Sequence, residues 1–246
     1  MPRLNTEKEL QACQSLPFCY LCGQGFDSGV KSNRDHVPPK ALFAKDHHER
    51  PLVLPAHPQC NGGRSFEDDI IKQLVAALER DQIPSSNKLR LSQATNRQSG
   101  EPIVILRTVD LRPIVWRWIR GFHAALYREY LPNDSSVLHA VHLPFAVGEI
   151  RDSTVVLLTP REQQYSFARE LTRSRQARIF DQIVCYSGKC TYECVWTLSD
   201  AGQPFCVFAL NIYEWHRWWP GQEPQGCVGA YVSPTGRPPG AARLRG

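Results

Sequence analysis

The chain of 246 residues has no apolar run that approaches the length of a membrane span, which is about 20 residues. Its most apolar stretch, Pro102 to Leu106, is followed at once by Arg107. The sequence therefore predicts no membrane partner. The first residues also lack the apolar core of a secretory signal, so we expect a cytoplasmic protein.

A fully paired disulfide framework is also excluded, because the nine cysteines are an odd number. The spacing of the first cysteines is typical of metal ligands rather than of disulfide bridges. In a reducing compartment the other cysteines would be free thiols, most of them buried, with a second metal site among the later ones as the alternative. These six are Cys13, Cys185, Cys190, Cys194, Cys206 and Cys227.

The net charge of +5 is unevenly distributed along the chain. Residues 1–82 are nearly neutral, whereas residues 83–219 hold most of the positive surplus. If the ligand is a polyanion such as a nucleic acid, we expect the downstream part of the chain to supply most of the electrostatic attraction. An ordinary, mildly basic surface explains the charge balance equally well.

The pattern of apolar residues predicts an α+β protein in two parts. Residues 1–82 predict a small module with short strands, which ends in a helix that begins at Ser65. Residues 83–101 are polar and predict a linker. Residues 102–219 predict a larger α+β domain with an antiparallel sheet, and residues 220–246 predict a disordered tail.

The larger domain contains the clearest periodic segments. Residues 111–130 repeat apolar side chains every 3.6 residues, which predicts a helix. Residues 190–198 and 206–212 alternate between apolar and polar, which predicts a hairpin whose sheet has one buried face. A basic helix is predicted after Thr159, and it could lie along phosphates or simply be a solvated face. Its arginines are Arg161, Arg169, Arg173, Arg175 and Arg178.

Two pairs of metal-ligand residues lie in the small module. Cys19 and Cys22 are separated by two residues, and so are His57 and Cys60. Each pair can present two ligands to one Zn²⁺, with Zn–S distances of about 2.3 Å, and two pairs complete a tetrahedron. Four protein ligands leave no open position, so we predict a structural zinc that folds this segment. The alternative is a pair of turn cysteines and a surface histidine.

A second set of residues, Asp35, His36 and Asn61, accompanies these pairs. Asp35 and His36 are adjacent, so on an extended segment their side chains point to opposite faces. A neutral imidazole suits the deprotonation of water near neutral pH, while carboxylate and amide oxygens suit Mg²⁺. The set predicts a metal-assisted hydrolytic centre, with a turn aspartate beside a surface histidine as the alternative.

The segment from about Phe18 to Asp69 resembles the HNH endonucleases, which have a ββα-metal fold. The resemblance is carried by Cys19-Tyr-Leu-Cys22, Arg34-Asp35-His36-Val37-Pro38-Pro39 and Leu52-Val-Leu-Pro-Ala-His57-Pro-Gln-Cys60-Asn61. It implies that His36 is the general base and that Asp35 and Asn61 bind a catalytic Mg²⁺ or Mn²⁺. The implied substrate is DNA, in a family that often serves mobile elements or defence. RNA cleavage and a zinc-stapled binding module without catalysis are the alternatives.

One position departs from the family pattern. Pro51 stands where family members often carry an asparagine that orients the catalytic histidine. We therefore expect another group to hold His36, either a backbone carbonyl or one of the loop histidines, His47 and His48.

The remaining candidates have less specific signals. Asp68 and Asp69 are expected to be charges at a helix N-terminus, and Arg64 is a candidate for a phosphate contact. The aromatic run Trp215–Trp219 could stack on bases or pack at a sheet edge. Because residues 102–219 carry no substrate motif, this domain could bind the substrate, a protein partner or a second copy of the chain.

Overall fold

The computed structural model describes residues 3–26, 32–63, 68–69, 72–73, 91–95, 102–106, 112–134, 138–142, 150–151, 154–155, 161–199, 201–213 and 227–240. The predictions for Arg64, Ser65 and Trp215–Trp219 lie outside these residues. Within the described ranges, no helix combines the length and the apolar character needed to cross a membrane.

Helices and strands are both present in each part of the chain, so the predicted α+β class is confirmed. The helices are α1 (Glu7–Ala12), α2 (Pro58–Asn61), α3 (Arg112–Tyr127) and α4 (Arg161–Gln176). The strands are β1 (Arg3–Leu4), β2 (Asn33–His36), β3 (Val53–Ala56), β4 (Leu91–Thr95), β5 (Pro102–Leu106), β6 (Leu138–His142), β7 (Ile150–Arg151), β8 (Thr154–Val155), β9 (Asp181–Cys185), β10 (Cys190–Leu198), β11 (Pro204–Ile212) and β12 (Cys227–Val232). Residues 68–69 and 72–73 are also helical.

Six of the described strands form one sheet, in the order β1-β9-β10-β11-β12-β6. The hairpin β10–β11 pairs Cys190 with Ile212 at one end and Leu198 with Pro204 at the other. This confirms the predicted hairpin. The sheet as a whole is mixed rather than antiparallel, because the short N-terminal β1 joins its edge and runs parallel to β9.

Helices cover both faces of this sheet. Alternate residues of a strand point to opposite faces, and on β10 and β11 the two sets of residues belong to different clusters. Tyr192 and Trp196 pack with α3, whereas Val195 and Val207 pack with α4. The prediction of one buried face is therefore wrong. The sequence of α4 is dominated by charged residues, so its few apolar residues did not indicate a buried face. One of them, Leu171, is 1% exposed.

The structure has strands in two segments that were predicted to be a linker and a disordered tail. β12 lies between β11 and β6 inside the sheet, so the predicted disordered tail, 220–246, is wrong for residues 227–232. β4 pairs with β5, so the predicted linker, 83–101, is wrong for residues 91–95. Strand formation depends on pairing and burial more than on local composition, and composition was the basis of both predictions.

The small module and the larger domain share one hydrophobic cluster. Leu10, Cys19 and Leu54 of the small module belong to the same cluster as Trp118 of α3 and Trp196 of β10. A boundary at 83–101 stays a prediction, but the described residues on its two sides pack as one core.

Helix α3 packs directly against the small module. Its buried Arg120 donates a hydrogen bond of 2.6 Å from Nη2 to the carbonyl of Leu21. At the next residue, Gly121, an added Cβ would lie 2.7 Å from Cγ1 of Val37 and 3.2 Å from Cδ1 of Leu54. The absence of a side chain at Gly121 thus allows the helix to approach both β3 and the residue that follows β2.

We expect Gly121→Ala to lower the free energy of unfolding by about 1–3 kcal/mol, which is typical of overpacking a core. The direction of this change distinguishes the two effects, because replacing glycine by alanine inside a helix ordinarily raises the free energy of unfolding by up to about 1 kcal/mol. Urea denaturation measures the difference. Gly240→Ala is the control, because an added Cβ there meets nothing within 4 Å. A more stable Gly121→Ala protein would contradict the close approach.

Candidate functional site

The four predicted zinc ligands come together at one point. The ligand atoms of Cys19, Cys22, His57 and Cys60 all lie within 4.8 Å of one another. Sγ of Cys22 is 3.3 Å from Nδ1 of His57, close to the about 3.6 Å that Zn–S and Zn–N bond lengths imply across a tetrahedron. The cluster therefore fits a structural metal such as zinc. The described residues contain no second such group of histidine, cysteine or acidic side chains.

A tight turn holds the first ligand pair. The backbone amides of Cys22 and Gly23 donate to the carbonyl of Cys19 at 3.3 and 2.8 Å. Gly23 has a φ of 77°, a left-handed conformation that favours glycine. A Cβ at this position would also lie 2.7 Å from the ring of Tyr130. Both the backbone conformation and the available space therefore require glycine after Cys22.

The second ligand pair begins α2. His57 is its N-cap residue, and the His57 carbonyl accepts hydrogen bonds from the amides of Cys60 and Asn61 at 3.0 and 3.1 Å. The amide of His57 donates to Sγ of Cys19 at 3.3 Å, which joins the two pairs directly. The same turn fixes the backbone of Cys60 and Asn61, so the metal cluster determines where Asn61 lies.

Asp35 and His36 lie at the end of β2, which pairs antiparallel with β3. Asp35 is opposite Leu54, and His36 is opposite Val53. Asp35 is buried and His36 is half-buried, in agreement with the prediction that adjacent residues of a strand face different surroundings. Helix α2, which ends at Asn61, lies against β2. The two segments that carry the candidate catalytic residues are therefore neighbours.

Buried polar side chains lie close to the carboxylate of Asp35. Tyr20, only 1% exposed, donates from its hydroxyl to Oδ2 of Asp35 at 2.5 Å. Arg117 of α3 is 3% exposed and forms an ion pair with Asp68. Burial lowers the pKa of Arg117, but the nearby Tyr20, Asp68 and Asp35 raise it above its ordinary value. The interpretation of Asp68 as a helix-terminal charge rather than a metal ligand stays a prediction, and its ion pair with Arg117 adds a contact from a distant helix.

The environment of His36 favours the neutral ring. Burial lowers the pKa of His36, and the positive charges of Lys40 and His48 lower it further. Because Pro51 stands in place of the family's asparagine, another group was expected to hold the ring of His36. In the described part of the chain, no residue does so by a hydrogen bond. Nε2 of His48 instead lies 3.0 Å from the carbonyl oxygen of Phe43.

Tyrosines of the larger domain hold the loop that follows His36. The hydroxyl of Tyr186 donates to the carbonyl of Pro38 at 2.7 Å, and the Tyr186 ring stacks on Phe43 with centroids 3.9 Å apart. The hydroxyl of Tyr213 accepts a hydrogen bond of 2.8 Å from the amide of Ala44. The segment that joins His36 to β3 is therefore fixed from the sheet side.

Sequence reasoning missed four residues around this site: Tyr20, Arg117, Tyr186 and Tyr213. A signal existed only for Tyr20, because it lies between the cysteines of the first ligand pair. The others contact the small module from positions that are 49, 148 and 169 residues further along the chain, and no local pattern indicates such contacts.

The basic helix is confirmed, but it lies away from the metal cluster. Arg169 and Arg173 of α4 are exposed, and α4 packs on the sheet face opposite to the one that contacts the small module. Nucleic-acid binding by these arginines stays a prediction. The six remaining cysteines are all free and buried, as predicted, because strand and helix packing encloses them.

Comparisons with protein-family models, with curated proteins and with solved structures give no match for this chain. Its function must therefore be argued from the site itself.

Proposed function

We propose that this protein is a metal-dependent endonuclease of the HNH type that hydrolyses phosphodiester bonds of DNA. One observation carries the proposal: strand β2, with Asp35 and His36, lies beside the helix that ends at Asn61, and the four-ligand metal cluster anchors that helix. The resemblance to the HNH endonucleases implies a ββα arrangement in this part of the chain.

The donor set fits a hard divalent cation. Asp35 and Asn61 offer a carboxylate and an amide oxygen, which are the ligands that Mg²⁺ and Mn²⁺ prefer, in contrast to the soft thiolates of the zinc cluster. In the proposed reaction these two side chains hold the cation. When bound, such a cation stabilises negative charge on the phosphate and on the leaving oxygen.

His36 is the proposed general base. The neutral ring accepts a proton from a water molecule, whose oxygen forms the new bond to phosphorus while the bond to the leaving oxygen breaks. Burial of the His36 ring and the nearby charges of Lys40 and His48 lower its pKa, which favours the unprotonated form that a base requires. The tyrosine contacts to the following loop limit the movement of the backbone at His36.

A plasmid assay tests the proposal. The wild-type protein is expected to convert supercoiled DNA to nicked or linear DNA in the presence of Mg²⁺ or Mn²⁺, and to leave it intact in EDTA after brief exposure that retains the zinc. Single-stranded RNA is assayed in parallel, because faster RNA cleavage would change the substrate class. DNA binding without cleavage at any cation concentration would favour the non-catalytic binding module instead.

A further inference from the structure

Tyr20 connects the turn that carries the zinc ligands with the carboxylate of Asp35. It lies between Cys19 and Cys22, so the turn that binds the structural metal also sets the position of the Tyr20 backbone. Its ring is 1% exposed, and its hydroxyl donates to Oδ2 of Asp35 at 2.5 Å. A side chain that starts at the zinc turn therefore ends on the carboxylate that is proposed to bind the catalytic cation.

This hydrogen bond leaves the carboxylate with a defined orientation. A carboxylate has two oxygens and can accept several hydrogen bonds, so engagement of Oδ2 by Tyr20 does not occupy the whole group. Carboxylates that bind metal ions are commonly held in this way by a second residue, which fixes their rotamer. A tyrosine hydroxyl suits this role because it donates one proton and carries no charge of its own at neutral pH.

Arg117 also lies close to Asp35. It reaches the same buried region from α3, with its guanidinium bound to Asp68 and close enough to Asp35 and Tyr20 to interact with both electrostatically. The larger domain thus places a cationic side chain close to Asp35, while the hydroxyl of Tyr20 holds the carboxylate by a hydrogen bond.

We propose that Tyr20 is a positioning residue that orients Asp35 for the catalytic cation and thereby couples cation affinity to the structural zinc turn. The inference rests on the proposed function, since it gives Asp35 the role of a cation ligand. It goes beyond that function by assigning to the zinc turn a direct contact with the reaction centre.

The test is Tyr20→Phe, which removes the hydroxyl and keeps the ring. In zinc-replete protein we expect Mn²⁺ affinity, measured by electron paramagnetic resonance of free Mn²⁺, to fall by about 10- to 100-fold, as is typical when the partner of a metal ligand is lost. The Mn²⁺ concentration that gives half-maximal DNA cleavage should rise by the same factor. Saturating Mn²⁺ should restore most of the rate, because His36 is unchanged.

The matched control is Tyr127→Phe. The hydroxyl of Tyr127 donates to Oδ2 of Asp181 at 2.7 Å in the core of the larger domain and accepts a hydrogen bond of 3.0 Å from Nε1 of Trp196, so this variant loses buried hydrogen bonds away from the site. Its thermal unfolding temperature should fall at least as far as that of Tyr20→Phe, while its zinc content and Mn²⁺ affinity should match the wild type.

Several results would overturn the role of Tyr20. They are an unchanged Mn²⁺ affinity in Tyr20→Phe, an equal loss of affinity in Tyr127→Phe, and a loss of zinc from Tyr20→Phe, which would assign the hydroxyl to the zinc turn alone. If the wild-type protein itself neither binds Mn²⁺ nor cleaves DNA, the proposed function fails as well. A wild type that does both, with an unaltered Tyr20→Phe variant, overturns the inference alone.

Discussion

Replacing His36 by alanine is expected to slow cation-dependent DNA cleavage by about 10²- to 10⁴-fold, the range that a positioned general base contributes. Without the ring, the attacking water of the proposed reaction would lose its proton to solvent. His48 affects the pKa of His36 through its charge, but its own Nε2 is placed beside the carbonyl of Phe43.

The measurement is the single-turnover rate of plasmid nicking at saturating Mn²⁺. Zinc content and the unfolding temperature are compared as well, because a half-buried side chain at the end of β2 contributes to packing. His48→Ala is the matched control: this histidine lies in the segment between β2 and β3 and is also half-buried. We expect it to change the rate by less than about 10-fold, since the proposed reaction assigns it no proton transfer. Equal cleavage by His36→Ala and wild type would remove His36 as the base.

The sequence predicted those parts of the site that depend on spacing. A ligand pair separated by two residues can bind one metal only if a tight turn lies between them, so the cluster of Cys19, Cys22, His57 and Cys60 could be foreseen. Alternation along residues 190–198 likewise predicted β10, since a period of two reflects a sheet face. In both cases the information is local, and local geometry determines the outcome.

The contacts that surround Asp35 could not be predicted in this way. Tyr20 is fifteen positions from Asp35 along the chain, and Arg117 comes from a helix of the larger domain. The position of Arg117 near Asp35 depends on how the small module packs on α3, where the absence of a side chain at Gly121 allows a close approach. The placement of β12 inside the sheet has a similar origin, because one of its two neighbours, β6, is distant in sequence. Non-local packing selects these partners, and single-sequence patterns do not encode it.

Replacing Cys22 by serine is expected to abolish zinc binding and to unfold the small module. A structural zinc contributes an apparent binding free energy of about 10–16 kcal/mol at neutral pH, which equals or exceeds the about 5–15 kcal/mol by which a whole domain is stable. The module has few regular elements to compensate: α2 has 4 residues, and β2 and β3 have 4 residues each.

We expect the loss of stability in the Cys22→Ser protein to extend beyond the small module. Cys19, Tyr20 and Leu21 belong to the cluster that includes α3 and the sheet, so unfolding of the zinc turn exposes apolar surface on the larger domain. We therefore expect Cys22→Ser protein to contain no zinc, to show rapid amide hydrogen exchange in β2 and β3, and to unfold at a lower temperature throughout. A chelator strong enough to remove zinc from the wild type should reproduce these changes.

Cys13→Ser separates the loss of metal from the loss of a buried thiol. Cys13 is 2% exposed and belongs to the same hydrophobic cluster, but it is not among the four ligands. This variant should keep one zinc per chain and lose only the packing contribution of one sulfur atom. A Cys22→Ser protein that stays folded with its full zinc content would show that three ligands suffice, and the metal could then no longer be the element on which Tyr20, Asp35 and Asn61 depend for their positions.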